Sequence, residues 1–302
     1  IGTAGEKLSL ISGIINDGGR IAARSGGGAV MGSKKLKAVV LAGVKPIGCA
    51  HPRKMKTLSK ELSGKMRRFN VPGIVRGGMF PWLGKIMGSM KTAMPMDGAL
   101  LGILMKRWGT VSNNTLGITS GDTPLKNWKG SVVDYDLAHY RNLNPENIMR
   151  VEKEKYHCYS CVIGCGGIVE IAKATNGEFT HSHKPEYETC STFGGLVMNK
   201  DLDSILYINE LLNRAGMDSI SAGSTVAFAM ECYEHGVITR EMADGLELTW
   251  GNSKSIVTLV KKMIAREGIG DLLADGVKVA AEKLGVSGEP YVVTAGGQEP
   301  GM

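Results

Sequence analysis

The chain is 302 residues long, 43% hydrophobic and 22% charged, with a formal charge of +7, a composition that can bury a sizeable core and excludes a disordered or fibrous protein. No apolar run reaches the roughly 18 residues of a membrane-spanning helix, and no basic, apolar, small-residue order marks a signal peptide, so a soluble cytoplasmic protein is expected. Basic residues are scattered and aromatics make up only 6%, which argues against nucleic acid and for a positive field that attracts an anionic cofactor or an acidic protein partner.

Residues 8–15 and 36–41 read as strands, with Gly26, Gly27, Gly28 and Gly32 between them. His51 and Pro52 open an amphipathic helix over 52–68, where Met55, Leu58, Leu62 and Met66 recur at helical spacing. Residues 70–97, rich in Gly, Pro and Met, predict irregular structure, 99–108 a short buried helix, and 109–133 a loop with turn signals at Asn113-Asn114, Gly121-Asp122 and Thr123-Pro124. A charged helical stretch over 145–155 leads to a cysteine cluster, and segments 167–173 and 177–182 form a hairpin because Asn176-Gly177 supplies the positive φ angles of a tight turn. The remainder is helical, over 201–215, 220–234, 253–266 and 271–284, with Gly236, Gly268 and Gly285 as terminators. The chain opens at Ile1 and stops at Met302 just after a Gly296-Gly297 pair, which reads as a fragment of a longer protein.

Four constellations carry chemistry. Cys158, Cys161 and Cys165 form a C-x2-C-x3-C run, whose thiolates can take three corners of an iron–sulfur cube while Gly164 and Gly166 let backbone amides approach the sulfurs. Structural zinc, completed by His157 or His181, and unligated thiols are the alternatives. The segment Arg24 to Lys35, with Gly26, Gly27 and Gly28 before a short helix, leaves amide hydrogens free for an anion, or is simply a tight turn. Glu186 and Glu188 lie in a short acidic segment ending at Cys190; a partly buried carboxylate there is a general acid or base, and an exposed one is ordinary surface. Residues 213–218 join two helices, Gly216 as C-cap and Asp218 or Ser219 as N-cap, which is a full account without any ligand.

In this order the motifs resemble the tungsten-dependent aldehyde:ferredoxin oxidoreductase family. The resemblance runs along nearly the whole chain, through the Gly-Ala-Val-Met-Gly-Ser-Lys core at 28–34, Gly109-Thr110, Asn127, the cysteine triplet, Pro185 to Thr189, Asn213 to Gly223, 227–234 and 271–277. It implies an α+β fold: a β-rich pterin-binding base of which residues 1–45 are the end, a mostly helical iron–sulfur domain over 46–290, and the start of a truncated C-terminal domain over 291–302. It implies tungsten, or molybdenum, held by two molybdopterins, Mg2+ at the pterin phosphates, and one [4Fe–4S] cluster on Cys158, Cys161 and Cys165 whose fourth cysteine lies beyond Met302. Arg24, Ser25, Gly26, Gly27 and Gly28 would contact one pterin. The family's D-x-x-G-L-D motif falls on 213–218, where Gly216 and Asp218 match while Asn213 and Met217 depart from it. Glu188, or Glu186, would assist proton transfer as an aldehyde is oxidised to a carboxylic acid.

Electrons would pass to ferredoxin or another iron–sulfur subunit, and the protein would act on a small aldehyde or acyl substrate as a homo-oligomer or a complex subunit. Ser25 in place of the usual glycine, Cys190 after the acidic motif and the 295–302 tail look closer to the tungsten subunit of class II benzoyl-coenzyme A reductase, where a cysteine thiolate can bind the metal; Cys190 is the candidate for that ligand. A non-catalytic iron–sulfur electron-transfer protein is a further alternative.

Overall fold

A computed structural model describes residues 1–68, 70–90, 98–135 and 141–302. In chain order the elements are α1 (Thr3–Glu6), β1 (Ile14–Asn16), β2 (Arg20–Ala22), α2 (Gly27–Ser33), α3 (Pro52–Arg68), α4 (Phe80–Ser89), α5 (Gly98–Trp108), α6 (Asn113–Ser120), α7 (Pro145–Val151), β3 (Glu152–Tyr156), β4 (Gly166–Glu170), β5 (His181–His183), α8 (Tyr187–Cys190), α9 (Leu202–Ala215), α10 (Ser219–Glu234), α11 (Ser253–Ala265), α12 (Ile269–Leu273) and α13 (Val277–Leu284). The architecture is α+β and mostly helical, with a two-stranded ribbon β1-β2 and a three-stranded antiparallel sheet in the order β3-β4-β5. Among the described residues no helix is long and apolar enough to cross a membrane.

α10 is the centre of the helical part. It is buried from Ser221 to Cys232 because α8, α11, α12 and α13 pack around it and the π-helical turn Ser191–Leu196 packs across it. Small side chains permit that approach: a Cβ on Gly223 would lie 2.4 Å from Thr192 Cβ. α9 and α11 are amphipathic, burying Ile205, Leu206, Ile208 and Leu212, and Ile256, Leu259, Val260 and Met263, which is the periodicity their sequences announce. Their N-termini are capped by Asp201 and Asn252, whose side chains accept from Asp203 N–H and Ser255 N–H.

The expected hairpin forms, with Ile168 opposite His183 and Glu170 opposite His181, and its turn uses Asn176 (φ 51°) and Gly177 (φ 84°). Elsewhere the structure corrects the sequence reading. Of 8–15 only the end is strand, and 36–41 forms none; Val40 and Leu41 are exposed there. The supposed loop over 109–133 contains α6, buried from Asn114 to Thr119 on nearly all sides, so it shows no apolar–polar alternation to read. The supposedly irregular 70–97 contains α4, with Pro81 in its first turn; residues 91–97 lie outside the described residues. The charged helix expected over 145–155 stops at Val151 and continues as edge strand β3.

α11 ends not on Gly268 but on Arg266, itself in the left-handed region (φ 51°). The helix expected over 271–284 is broken at Gly276 (φ 91°), where a Cβ would lie 2.7 Å from Glu299 Oε1.

The N-terminal segment is sewn onto the helical part at three places, one of them Arg266 Nε donating to Lys7 O at 2.8 Å. Ser9 Oγ donates to Ala274 O (2.6 Å) and Leu10 N–H to Asp275 Oδ1 (3.1 Å), while Gly13 N–H donates to Gly216 O (2.8 Å) and Asp218 N–H to Ile11 O (2.9 Å) around the bridge Ser12–Met217. α2 closes on this strip, Gly28 N–H donating to Ser12 O at 3.1 Å. Because a Cβ on Gly28 would sit 2.6 Å from Gly13 O and 2.7 Å from Ser12 Oγ, Gly28→Ala is expected to destabilise the protein by about 1–3 kcal/mol through overpacking. An unchanged urea midpoint would contradict that packing.

Candidate active site and cysteine loop

The α9–α10 junction is built by local rules. Gly216 (φ 68°) closes α9 in the left-handed conformation, and Asp218 caps α10 by accepting from Ile220 N–H (3.3 Å) and Ser221 N–H (3.1 Å). The same Asp218 is nearly inaccessible and faces Arg24, Nε to Oδ2 being 4.0 Å. Arg24 also donates through Nη2 to Glu299 O, and its buried Nε has no hydrogen-bond partner among the described residues. A buried guanidinium N–H without a partner is costly, so this site is short of an acceptor.

Two clefts open on either side of that pair. One, of about 530 Å3, is lined by Arg20, Arg24, His183, Glu186, Glu188 and Asn213, with Met217 and Asp218 at its back. The other, of about 450 Å3, shares Arg24 and Asp218 and adds Ser25, Asp275, Lys278 and Glu299. The two glutamates differ. Glu186 is tied down, one oxygen accepting from Arg20 Nη1 (2.5 Å) and the other from Thr110 Oγ1. Among the described residues the Glu188 carboxyl accepts from Met302 N–H (2.9 Å) alone, and burial raises it above the usual range, the Met302 amide and Arg24 opposing the shift in part.

The cysteine loop lies behind Arg20. Cys158 is exposed and Cys161 and Cys165 are half-buried, all as free thiols. Ser160 (φ 56°) and Gly164 (φ 63°) turn the chain twice, and Ile163 N–H points at Cys161 Sγ (3.4 Å). Burial raises the Cys165 thiol and Glu186 adds to this, while Arg20 counteracts it. Arg20 sits against Gly166, where a Cβ would lie 2.3 Å from Nη2, and over the Tyr156 ring at 5.1 Å. It therefore touches both the cleft and the loop. Zinc–sulfur bonds of about 2.3 Å would draw tetrahedral sulfurs to within about 4 Å of one another. Among the described residues the only three His, Cys, Asp or Glu ligand atoms gathered within 4.8 Å are those of Glu231, Glu234 and His235, so the three thiols are spread more widely than one zinc ion requires. The Glu231 group is already neutralised by Lys129, 2.9 Å from Glu231 and 2.6 Å from Glu234.

The structure thus brings together Arg24, Glu186, Glu188, Asn213, Met217 and Asp218, with Ser25 in the second cleft. Gly26, Gly27 and Gly28 line neither cleft: Gly26 (φ 70°) caps α2 and packs on Leu10 O, Gly27 faces Ile14, and Gly28 meets Ser12 and Gly13. Their role here is close packing of the chain on itself. Gly216 likewise serves as a helix terminus. Cys190, expected as a metal ligand, is 1% exposed at the end of α8 and lines neither cleft. Burial pushes its thiol up to about 12. Sequence reasoning missed Arg20, Thr110 and His183; their partners are distant in the chain, and the one local hint was an arginine directly after the Asp17-Gly18-Gly19 turn.

Residues 1–43 match the model of the aldehyde ferredoxin oxidoreductase N-terminal domain, and residues 89–302 match that of domains 2 and 3. The chain is similar to the tungsten-containing aldehyde ferredoxin oxidoreductases of Pyrococcus furiosus (34% identity) and Thermococcus kodakarensis (32%), in each case over 94% of this chain and 41% of the relative. It thus spans less than half the length of those proteins. Among solved structures it resembles a chain of the active-site complex BamBC of benzoyl coenzyme A reductase with 1,5-dienoyl-CoA, at TM-score 0.71 and 24% identity, over 99% of this chain and 41% of that one; this is a likeness of fold.

Since the folded state raises the Glu188 carboxyl, it binds a proton there more tightly than the unfolded chain does, and stability falls as pH rises from the ordinary carboxyl value through the raised one. Glu188→Gln should therefore match the wild type at pH 4 and melt at a higher temperature at pH 7. Equal melting temperatures at pH 7 would show that the burial cost is absent.

Proposed function

The chain belongs to the aldehyde ferredoxin oxidoreductase family, and from this we propose that it is part of a tungsten-containing bis-pterin, iron–sulfur enzyme that oxidises a small aldehyde to the carboxylic acid. The observation that carries the reading is the convergence on one cleft of a cation with an unsatisfied buried donor, a carboxyl whose affinity for a proton is raised by burial, and a loop of three free thiols joined to that cleft by Arg20.

The residues suit the cofactors. Arg24, with its unpaired Nε, and Asp218 are a donor and an acceptor placed to meet a pterin's ring amides or phosphates from either cleft. Asn213 adds an amide to the larger cleft, and Mg2+ at the phosphates belongs to the same proposal. Cys158, Cys161 and Cys165 would hold three corners of a [4Fe–4S] cluster. When bound, the metal–pterin centre supplies two-electron oxidation of the carbonyl carbon and the cluster accepts those electrons one at a time for delivery to ferredoxin or another iron–sulfur partner.

The chain's own part is positioning and proton handling. Glu188 faces the cleft with its carboxyl raised above the usual range by burial, so Oε1 or Oε2 can take up and return a proton there. Glu186, held on both oxygens, stays an acceptor that fixes Arg20 and Thr110. Cys190 is buried and lines neither cleft; metal coordination by its thiolate with an aromatic acyl-CoA substrate is the second reading, and the fold likeness to a benzoyl coenzyme A reductase chain accompanies it.

Purified anaerobically at full length, the protein should carry tungsten or molybdenum and about four irons per chain. Glu188→Gln should keep both and lower aldehyde oxidation about 10²–10⁴-fold, whereas Cys158→Ser should lose iron. Metal-free protein with full activity, or a Glu188→Gln variant with unchanged turnover, would defeat the proposal.

A further inference from the structure

Beside the cysteine loop lies a group of charges that the function above does not use, among them Lys184, which lines the larger cleft while its ammonium is buried. The Lys184 side chain is 2% exposed and its Nζ is 3.1 Å from Glu152 Oε2, a carboxylate only 5% exposed. The other oxygen of Glu152 takes Lys155 Nζ at 3.1 Å. One carboxylate therefore lies between the buried Lys184 ammonium and that of Lys155, whose side chain is 34% exposed, and the Glu186 carboxylate also acts on Lys184. Nζ of Lys184 also donates to Trp108 O (3.1 Å), and its backbone N–H to Gly167 O (2.7 Å), two residues after Cys165. Gly109 (φ 77°) alone separates the ammonium from the loop: a Cβ there would lie 2.3 Å from Cys165 O and 3.0 Å from Lys184 Nζ.

Packing does not call for this arrangement. A buried ion pair contributes little stability over an apolar pair of the same volume, and burial, with Lys155 next to it, pulls the Lys184 ammonium below its ordinary value while Glu152 holds it up. What a fixed cation behind Cys165 does is electrostatic. It stabilises whichever state of a group on that loop carries more negative charge, and in a poorly solvated site that effect is weakly screened. Reduction of an iron–sulfur cluster adds one electron, so the cation favours the reduced form.

We propose that Lys184 is a positioning residue that sets the reduction potential of the cluster on Cys158, Cys161 and Cys165, with Glu152 as its counterweight. The inference rests on the cluster reading above. Its test is a redox titration of the full-length, anaerobically purified protein, following the electron paramagnetic resonance signal of the reduced cluster, with iron content measured first on every sample. Lys184→Met should shift the one-electron equilibrium about tenfold toward the oxidised form, a fall of about 59 mV. Glu152→Gln should shift it in the opposite direction, and the double variant should return close to wild type.

Opposite signs are the signature, because loosening of the loop would move both single variants the same way. If Lys184→Met fails to fold, the rise expected for Glu152→Gln decides by itself. Wild type without iron overturns the cluster reading and the inference together. Iron in all samples with coincident midpoints, or shifts of one sign, overturns the inference alone.

Discussion

Everything at the site depends on one short pairing, the strip of backbone in which residues 11–13 lie against 216–218. It consists of two hydrogen bonds, yet it fixes where Arg24 stands relative to Asp218 and so creates the wall between the two clefts. Glycines on its two sides let other segments of the N-terminal region close on this strip. Gly13 would meet Ala22 O at 2.5 Å if it had a Cβ, and Gly216 would meet Ile15 at 2.9 Å. The abundance of glycine in this chain, 42 residues, is at these positions a requirement for backbone to lie on backbone rather than a device for holding a ligand.

Charge is distributed around the cysteine loop with similar economy. Arg20 approaches it from the cleft and Lys184 from the core, and each is matched by a glutamate, Glu186 and Glu152. The matching differs in kind. Glu186 also serves Thr110 and so ties the pair to the start of α6's preceding turn, whereas Glu152 is shared with Lys155. Desolvated charges that are individually costly are thereby kept in pairs, as buried ions must be.

What could be read in the sequence was whatever shows a boundary with solvent or a local cap. α9 and α11 alternate apolar and polar residues because one face is wet, and Asp218 announces itself as an N-cap, so the junction that carries the site was visible. α6, wrapped on nearly all sides and made of Asn, Thr, Ser, Gly and two aliphatics, carries no such pattern. The stretch from α8 into the π-helical turn is buried throughout 189–197 and was equally silent. At the site, residues whose partners are close in sequence were found, and Arg20, bonded to a glutamate 166 residues away, was not. Cys190 was singled out by residue type alone, while its burial is a property of the whole fold that no local pattern displays.

The sewing of the N-terminal segment has a consequence for the order in which the molecule assembles. β3, the cysteine loop, β4 and β5 lie within residues 152–183 and close on one another through contacts of short sequence separation. The cleft requires closures as long as that between Leu10 and Asp275, 265 residues apart. Loop-closure entropy favours near contacts over far ones, so the topology lets the thiol-bearing hairpin take shape while the cleft is still open, and the cleft closes against a loop that already exists.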